Sequence, residues 1–304
     1  KTMAPMMHKT PPKIAVIGFG EAGSSLCEGW NKSGIRVYDI KLDYQGKIAE
    51  QMAERMDLAN VIRAHDTFTA VSNADAIFST VTADQAKKVA KTAAKSIKMG
   101  ALYFDLNSCA PSTKQLSAEI ISKAGARFVD VAVMASISSK LHRTDMLVSG
   151  EHSKEAIQFM ESLGMKPGHI LGDVGRASTI KMVRSILVKG IEALTAECFA
   201  AACKAGVADE VAASLDASHT TTNWKNQAGY NMERMTTHGT RRAAEMREVA
   251  QTLSDLNVVN RMTNGTIEWQ DEMGDLGVNL IDVAEFEMRF KKIEAATSKK
   301  NSCK

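Results

Sequence analysis

Between Lys13 and Ser149 the chain alternates short apolar runs with segments whose apolar residues recur at helical spacing; beyond Ser178 only the helical spacing continues. The runs are Ile14-Ala15-Val16-Ile17, Ile35-Arg36-Val37-Tyr38, Ala76-Ile77-Phe78-Ser79-Thr80-Val81, Ala101-Leu102-Tyr103-Phe104-Asp105, Ala126 to Val133, and Met146-Leu147-Val148-Ser149. Each has the length of a buried strand and is bounded by turn residues. Between them, Leu26 and Trp30 mark a helix behind a glycine-rich turn, and Asp43 to Asp66 holds another. Gln85 to Lys98 reads as a basic helix ended by Gly100, and Ser112 stands where it can cap the next one. Strands separated by helices of this length form βαβ units and a mixed or parallel sheet.

After Ser178 the turn signals fall at Gly206, Asn226 to Gly229, Gly239, Asn264-Gly265 and Gly274 to Gly277, which predicts an all-helical second domain. The expected organisation is a loose leader over residues 1–12, an α/β domain over 13–173 and a helical domain over 174–304, with a disordered polar tail from Ser298. A long helix between Gly172 and Gly206 joins the two. Val183, Ile186, Leu187, Ile191, Leu194, Cys198 and Phe199 line it at helical spacing, so it should be buried on several sides. Lys181, Arg184 and Ser185 interrupt this apolar stretch on one turn. Such a cluster in a dry segment makes a candidate site. The apolar helix and the many Ala and Met residues beyond it predict a buried subunit contact, a homodimer.

At 304 residues, 44% hydrophobic and 24% charged, the chain is long enough for two cores. A formal net charge of +3, from 38 basic and 35 acidic residues spread along the chain, gives no reason to expect nucleic acid or a membrane surface as partner. The N-terminal stretch lacks the continuous apolar core of a signal peptide, and no run reaches the roughly 20 apolar residues of a membrane span. Cys27, Cys109, Cys198, Cys203 and Cys303 show no C-x-x-C spacing, which fits a reducing cytoplasm. The histidines show no metal-ligand spacing, and no G-x-S-x-G elbow occurs, so neither a metal site nor a serine hydrolase is expected. Cys109 has no context that would activate it as a nucleophile.

The turn behind the first strand is Gly18-Phe19-Gly20-Glu21-Ala22-Gly23. In a G-x-G-x-x-G turn between strand and helix, the glycines permit the bend, the approach of a pyrophosphate and close helix packing, while amides at the helix start bind the phosphates. The second run ends in Asp39, placed to hold the adenosine ribose; a carboxylate there favours NAD, and Lys41 keeps NADP open. Ligands of open α/β sheets lie beyond the carboxyl ends of strands, which adds Thr80, Val81 and Thr82, and then Asn107 and Ser108 in the loop Leu106-Asn107-Ser108-Cys109-Ala110-Pro111. In the helical part, His238, Arg241 and Arg242 form a basic group able to meet an anionic substrate across a cleft; the bland alternative is a solvated helix start balanced by Glu245 and Glu248.

The glycine-rich turn, DLNSCAP at 105–111, DVAVMAS at 130–136 and GDVGRASTIKMVRS at 172–185 occur in the order found in β-hydroxyacid dehydrogenases, and the chain resembles that family, which includes 3-hydroxyisobutyrate and 6-phosphogluconate dehydrogenases. The resemblance implies a Rossmann domain followed by a helical domain, joined by a long helix whose early lysine is the catalytic acid or base. Lys181 matches that lysine. It implies oxidation of the hydroxyl of a small anionic hydroxy acid, or the reverse, with NAD or NADP. Two departures concern the substrate: Met134, Ala135 and Ser136 stand where the family has serine and glycines, and Ser185, beside Arg184, stands where it has asparagine. Two alternatives share the fold, an imine reductase and a non-catalytic dinucleotide-binding protein. Imine reductases typically replace the lysine, so Lys181 speaks for alcohol chemistry.

Overall fold

A computed structural model describes residues 11–31, 33–218 and 222–302. The expected leader lies outside these residues as far as Thr10, as do Cys303 and Lys304. Two compact units divide between Lys181 and Met182.

The first unit runs β1 (Ile14–Ile17), α1 (Glu21–Trp30), β2 (Arg36–Tyr38), α2 (Lys47–Leu58), β3 (Ile62–Arg63), α3 (Thr67–Val71), β4 (Ala76–Ser79), α4 (Ala86–Ala93), β5 (Leu102–Asp105), α5 (Pro111–Lys123), β6 (Arg127–Val133), β7 (Asp145–Ser149), α6 (Ser153–Ser162) and β8 (Lys166–His169). Helix α7 (Arg176–Ala205) begins in it. The strands form one sheet in the order β3-β2-β1-β4-β5-β6-β7-β8. All pairs are parallel except β6–β7, where Asp130 faces Ser149 across an antiparallel register. The central strands are apolar throughout because helices cover both faces. Val16, Phe78, Phe104 and Val129 build the core on one face, and Ile17, Ile77, Tyr103 and Phe128 the core on the other. On the first face Trp30 lies 4.8 Å from Phe78, which stacks on Phe104 at 4.5 Å between ring centres.

Several elements differ from expectation. Strand β8 reads Lys-Pro-Gly-His and has no apolar signature; it is an edge strand, where a proline does not cost a ladder bond on both sides. Strand β3 and helices α3 and α6 were likewise not indicated. Helix α5 starts at Pro111 with Ala110 as its cap, not Ser112, since a proline at the first helical position is already set in φ and lacks only an amide that would be unpaired there.

The second unit contains the rest of α7, then α8 (Ala208–Ser218), α9 (Trp224–Asp255), α10 (Arg261–Gly274) and α11 (Phe286–Ser302). Phe199, Met232, Met235, Met273 and Phe286 form its main core, and Met182, Met246, Val249 and Leu253 a second cluster. The turns expected at Asn226 to Gly229, Gly239 and Asn264-Gly265 are helix interior. Gly239 has a packing role instead: a Cβ there would stand 2.2 Å from the Gln270 carbonyl oxygen and 2.7 Å from the Gly274 nitrogen, so only glycine lets α9 and α10 meet backbone to backbone. The tail expected to be disordered is helical through Ser302.

Helix α7 is not buried all round. Val183, Leu187, Ile191 and Leu194 are exposed, Leu187 to 68%. Its buried row includes Ser185, Lys189 and Glu192, and the charges are paired there: Lys189 Nζ donates to Glu245 at 2.7 Å, and Glu192 receives Arg242 and, at 3.0 Å, the Gln270 amide. The apolar row therefore faces outward because partnered polar residues hold the inner one.

Candidate active site

The glycine-rich turn sits where β1 and β4 are neighbours, the point at which strand order reverses and open α/β sheets bind ligands. Gly18 has φ +92°, and a Cβ on it would lie 2.6 Å from the Thr80 carbonyl oxygen. The Gly18 amide donates to the Tyr38 carbonyl at 2.8 Å, and the Thr80 hydroxyl donates to the Gly18 carbonyl at 2.8 Å. A Cβ on Gly23 would come within 2.1 Å of the Gly18 carbonyl oxygen, so this glycine seats α1 against the turn. Gly20 is different: nothing stands within 4 Å of its Cβ position, and as N-cap of α1 it provides no side chain to the first-turn amides. The three glycines thus serve bend, open approach and helix packing respectively.

Asp39 is buried and accepts the Phe19 amide at 2.7 Å and the Lys41 amide at 2.9 Å. It shapes the turn as well as ending β2. Arg55, which nothing in the pattern of the sequence marked, donates to the Ser24 hydroxyl at 2.6 Å and lies over the Phe19 ring. Asn107 is also structural: its side-chain oxygen accepts the Val81 amide at 2.7 Å and its amide group donates to the Ser79 hydroxyl at 3.0 Å, tying the ends of β4 and β5 together. Thr82 is exposed and stands at the start of a short 3-10 turn, its side chain making no capping bond to the amides of that turn. Glu21 accepts the Ser136 hydroxyl at 3.3 Å, and the Met134 amide donates to the Asp145 carbonyl.

Beyond β5 the Lys181 ammonium donates to the Ser108 hydroxyl at 2.6 Å. Both positions are anchored from beneath. Asp130 is fully buried and accepts the Ser178 hydroxyl at 2.6 Å and the amides of Gly175 and Ser178, so a carboxylate on β6 caps the start of α7. Ser149 donates to Asp130 and accepts the Ala177 amide, each at 3.0 Å. Asp105 accepts the Asn107 amide at 2.9 Å and so bends the loop that carries Ser108. Lys114, without exposed surface, bonds the Asp105 carboxylate at 2.9 Å and stands 3.5 Å from that of Asp130. Burial opposes its charge, but the two carboxylates outweigh it and raise its pKa.

Residues 13–171 match the NAD binding domain of 6-phosphogluconate dehydrogenase. The chain belongs to that family. Residues 202–273 match a second family, described as a domain of unknown function, DUF1932. An uncharacterized 28.5 kDa protein of Methanothermus fervidus is 31% identical over 208 residues, 67% of this chain and 76% of that protein. A conserved hypothetical protein from Sinorhizobium meliloti, of solved structure, is 29% identical with a TM-score of 0.70, covering 93% of this chain and 96% of its own. The 3-hydroxyisobutyrate dehydrogenase of Mycobacterium tuberculosis, solved with L-serine, shares the fold at 13% identity, TM-score 0.69, over 93% and 99% of the two chains. An imine reductase from Myxococcus stipitatus in complex with NADP+ shares it at 17% identity, TM-score 0.55, over 92% and 100%.

Family membership makes the first unit a nicotinamide dinucleotide-binding domain, and its residues fit that group. The open approach at Gly20, the α1 amides it leaves uncapped and the carboxylate of Asp39 at the end of β2 have the chemistry to meet pyrophosphate and ribose.

The residues expected to bind the substrate from the helical unit are placed unequally. Arg184 is exposed and Ser185 buried. Arg241 pairs with Glu245 one turn away at 3.0 Å, and Arg242 is buried in its pair with Glu192. Burial lowers the Arg242 pKa, with Glu192 opposing. Arg241 is thus balanced by Glu245, as the alternative reading of this basic group has it, whereas the Glu192 partner of Arg242, 50 residues away, has no signal in the local sequence. Among the described residues no group of three or more His, Cys, Asp or Glu side chains could hold a metal ion, and no helix is long and apolar enough to cross a membrane. Cys109 is buried, with its sulfur against the Ala83 carbonyl.

Proposed function

We propose that this protein is an NAD(P)-dependent dehydrogenase that oxidises the hydroxyl of a small anionic hydroxy acid, or reduces the corresponding carbonyl, with Lys181 as general acid and base. The observation that carries the reading is the Lys181 to Ser108 hydrogen bond beyond the carboxyl end of β5, the side of the sheet on which the glycine-rich turn also opens. Nicotinamide, when bound, supplies the hydride acceptor or donor. The chain supplies the proton path. In the oxidation direction Lys181 Nζ in its neutral form accepts the substrate hydroxyl proton, and Ser108 orients the amine; reduction returns that proton to the oxygen. Gly18, Phe19, Gly20, Glu21, Ala22 and Gly23 with Asp39 hold the dinucleotide, and Thr80, Val81, Thr82 and Asn107 border it. NAD is preferred, since the Asp39 carboxylate disfavours a 2′-phosphate.

Arg184, exposed on α7, is the guanidinium best suited to an anionic substrate group, and His238 is a second candidate for this role. Met134, in place of the polar residue usual in relatives, and Ser185, in place of asparagine, favour a substrate differing in shape from 3-hydroxyisobutyrate. Imine reduction is the second reading, raised by the shared fold with the Myxococcus stipitatus enzyme; retention of Lys181 favours alcohol chemistry over it, and over a non-catalytic role. The test is a screen of small and aryl-substituted 2- and 3-hydroxy acids and sugar acids, with cyclic imines in parallel, read by NAD(P)H absorbance. Turnover of imines alone, or of no compound while dinucleotide binds, would replace this reading.

A second copy of the chain is the partner that best accounts for the exposed apolar row of α7. The exposed apolar row on a helix whose polar residues are paired inside supports a subunit contact. A dimer in sedimentation at micromolar concentration, weakened by Leu187→Glu, is the expected result, and a wild-type monomer would remove the inference. The free thiols of Cys27, Cys109, Cys198 and Cys203 support a cytoplasmic location.

A further inference from the structure

Lys114 stands apart from any proton path, yet it is an ammonium with no exposed surface in the middle of the sheet's carboxyl end. Buried ion pairs are poor stabilisers: well-packed apolar residues of similar volume often do as well or better. A fully buried lysine therefore calls for a reason beyond stability. Its contacts offer one. Lys114 Nζ bonds both the main-chain carbonyl and the carboxylate of Asp105, at 2.6 and 2.9 Å, and lies 3.5 Å from Asp130. Asp105 turns the loop to Ser108 through the Asn107 amide, and Asp130 gathers the first turn of α7 through Ser178 and Gly175. The second Asp105 oxygen is buried with no hydrogen-bond partner, so the lysine carries most of that carboxylate's compensation.

We propose that Lys114 is a positioning residue: the shared cation that locks the Ser108 loop to the start of α7 and thereby sets the approach of the Lys181 amine to the Ser108 hydroxyl. The proposal rests on the reading of Lys181 as the acid and base. Without the cation, two buried carboxylates within one cluster repel, and the loop and the helix lose their common anchor. The helix would keep its cap on Asp130, but its placement relative to Ser108 would no longer be fixed.

The test needs no substrate. Each lysine of the full-length protein is labelled competitively with acetic anhydride over a pH series and quantified by peptide mass spectrometry, with exposed Lys154 as internal reference. Two variants are compared with wild type: Lys114→Gln, which keeps a donor, and Lys114→Met with Asp105→Asn, which removes cation and carboxylate together. The expected result is a Lys181 labelling rate raised about threefold relative to Lys154, because an amine no longer held on the Ser108 hydroxyl is more open to the reagent. Cooperative unfolding is retained. Wild-type labelling of Lys181 in a cooperatively folded variant would overturn the proposal. So would loss of cooperative folding in both variants, which would make Lys114 a requirement of the fold and not of the site. A failed dehydrogenase screen is a separate outcome: altered Lys181 labelling would still establish the coupling, and a successful screen with unaltered labelling would remove only the positioning role.

Discussion

Lys181 and Ser108 are 73 residues apart in sequence and 2.6 Å apart in space, the lysine on the first turns of α7 and the serine on the loop after β5. A hydrogen bond to a hydroxyl fixes the nitrogen without ion pairing, so that it can give a proton as the ammonium and accept one as the neutral amine. Replacing Lys181 by Met keeps an unbranched side chain one atom shorter and removes the titratable nitrogen. With a substrate in hand, Lys181→Met lowers kcat by at least about 10²-fold while dinucleotide affinity stays near wild type. Full activity in that variant would refute the assignment.

Dinucleotide binding is expected to fail in Gly20→Val, because the open approach at Gly20 is then filled by a branched side chain. The fold should survive, since no neighbour lies within 4 Å of that Cβ position. Fluorescence titration with NADH and NADPH decides cofactor preference. NADH should bind more tightly; tighter binding of NADPH by about tenfold, or about 1.4 kcal/mol, would show that Asp39 does not select the cofactor.

The sheet and the glycine turn were legible in the sequence because both depend on local pattern: a buried parallel strand is a short apolar run, and the turn demands glycines at fixed spacing. The place of Lys181 on the first turns of a long helix was legible from the helical spacing of the apolar residues that follow it. The anchors beneath it were not. Asp105, Lys114 and Asp130 come together from β5, α5 and β6, and a lysine in the second turn of a helix looks in sequence like any solvated one. Strand β8 carries no periodicity, and Gly239 reads as a breaker until its close neighbour Gly274 is seen. Helix α7 departs from its apolar pattern for a physical reason: apolar residues mark a buried face when their polar neighbours are solvated, but here Lys189 and Glu192 are paired inside.

Alkaline pH should destabilise the protein in part through Cys27. The thiol is buried in the core beside Trp30, and desolvation pushes its pKa up to about 12. In the unfolded chain a thiol ionises near about 8.5. The native state therefore keeps a proton that the unfolded state loses, so stability falls as pH rises from about 8.5 toward about 12. Lys114, raised in pKa by its carboxylates, adds a loss of the same sign above about 10.4, where an unfolded lysine gives up its proton. Thermal unfolding from neutral pH to pH about 11 should show a shallower decline in Cys27→Ala than in wild type. The variant starts lower, because a small cavity replaces the sulfur. Parallel curves would show that the thiol does not titrate in this range.

Arg242 offers a direct contrast between a substrate role and a structural one. Its side chain is 7% exposed and that of its partner Glu192 8%, and Gln270 donates to the same carboxylate at 3.0 Å. Removing only the arginine leaves Glu192 charged, buried and short of its main partner, a change that costs about 3–5 kcal/mol in comparable pairs. Replacing both partners by apolar residues of similar size removes the desolvation problem together with the attraction. Arg242→Ala should thus lower the unfolding midpoint strongly, and Arg242→Met combined with Glu192→Leu should recover most of the loss. Denaturant unfolding of the single and double variants measures the difference. If the double variant is as stable as wild type and its KM for an accepted hydroxy acid is unchanged, Arg242 serves the helical core. A raised KM at undiminished stability would instead return it to the anion-binding role that its sequence position beside His238 and Arg241 first indicated.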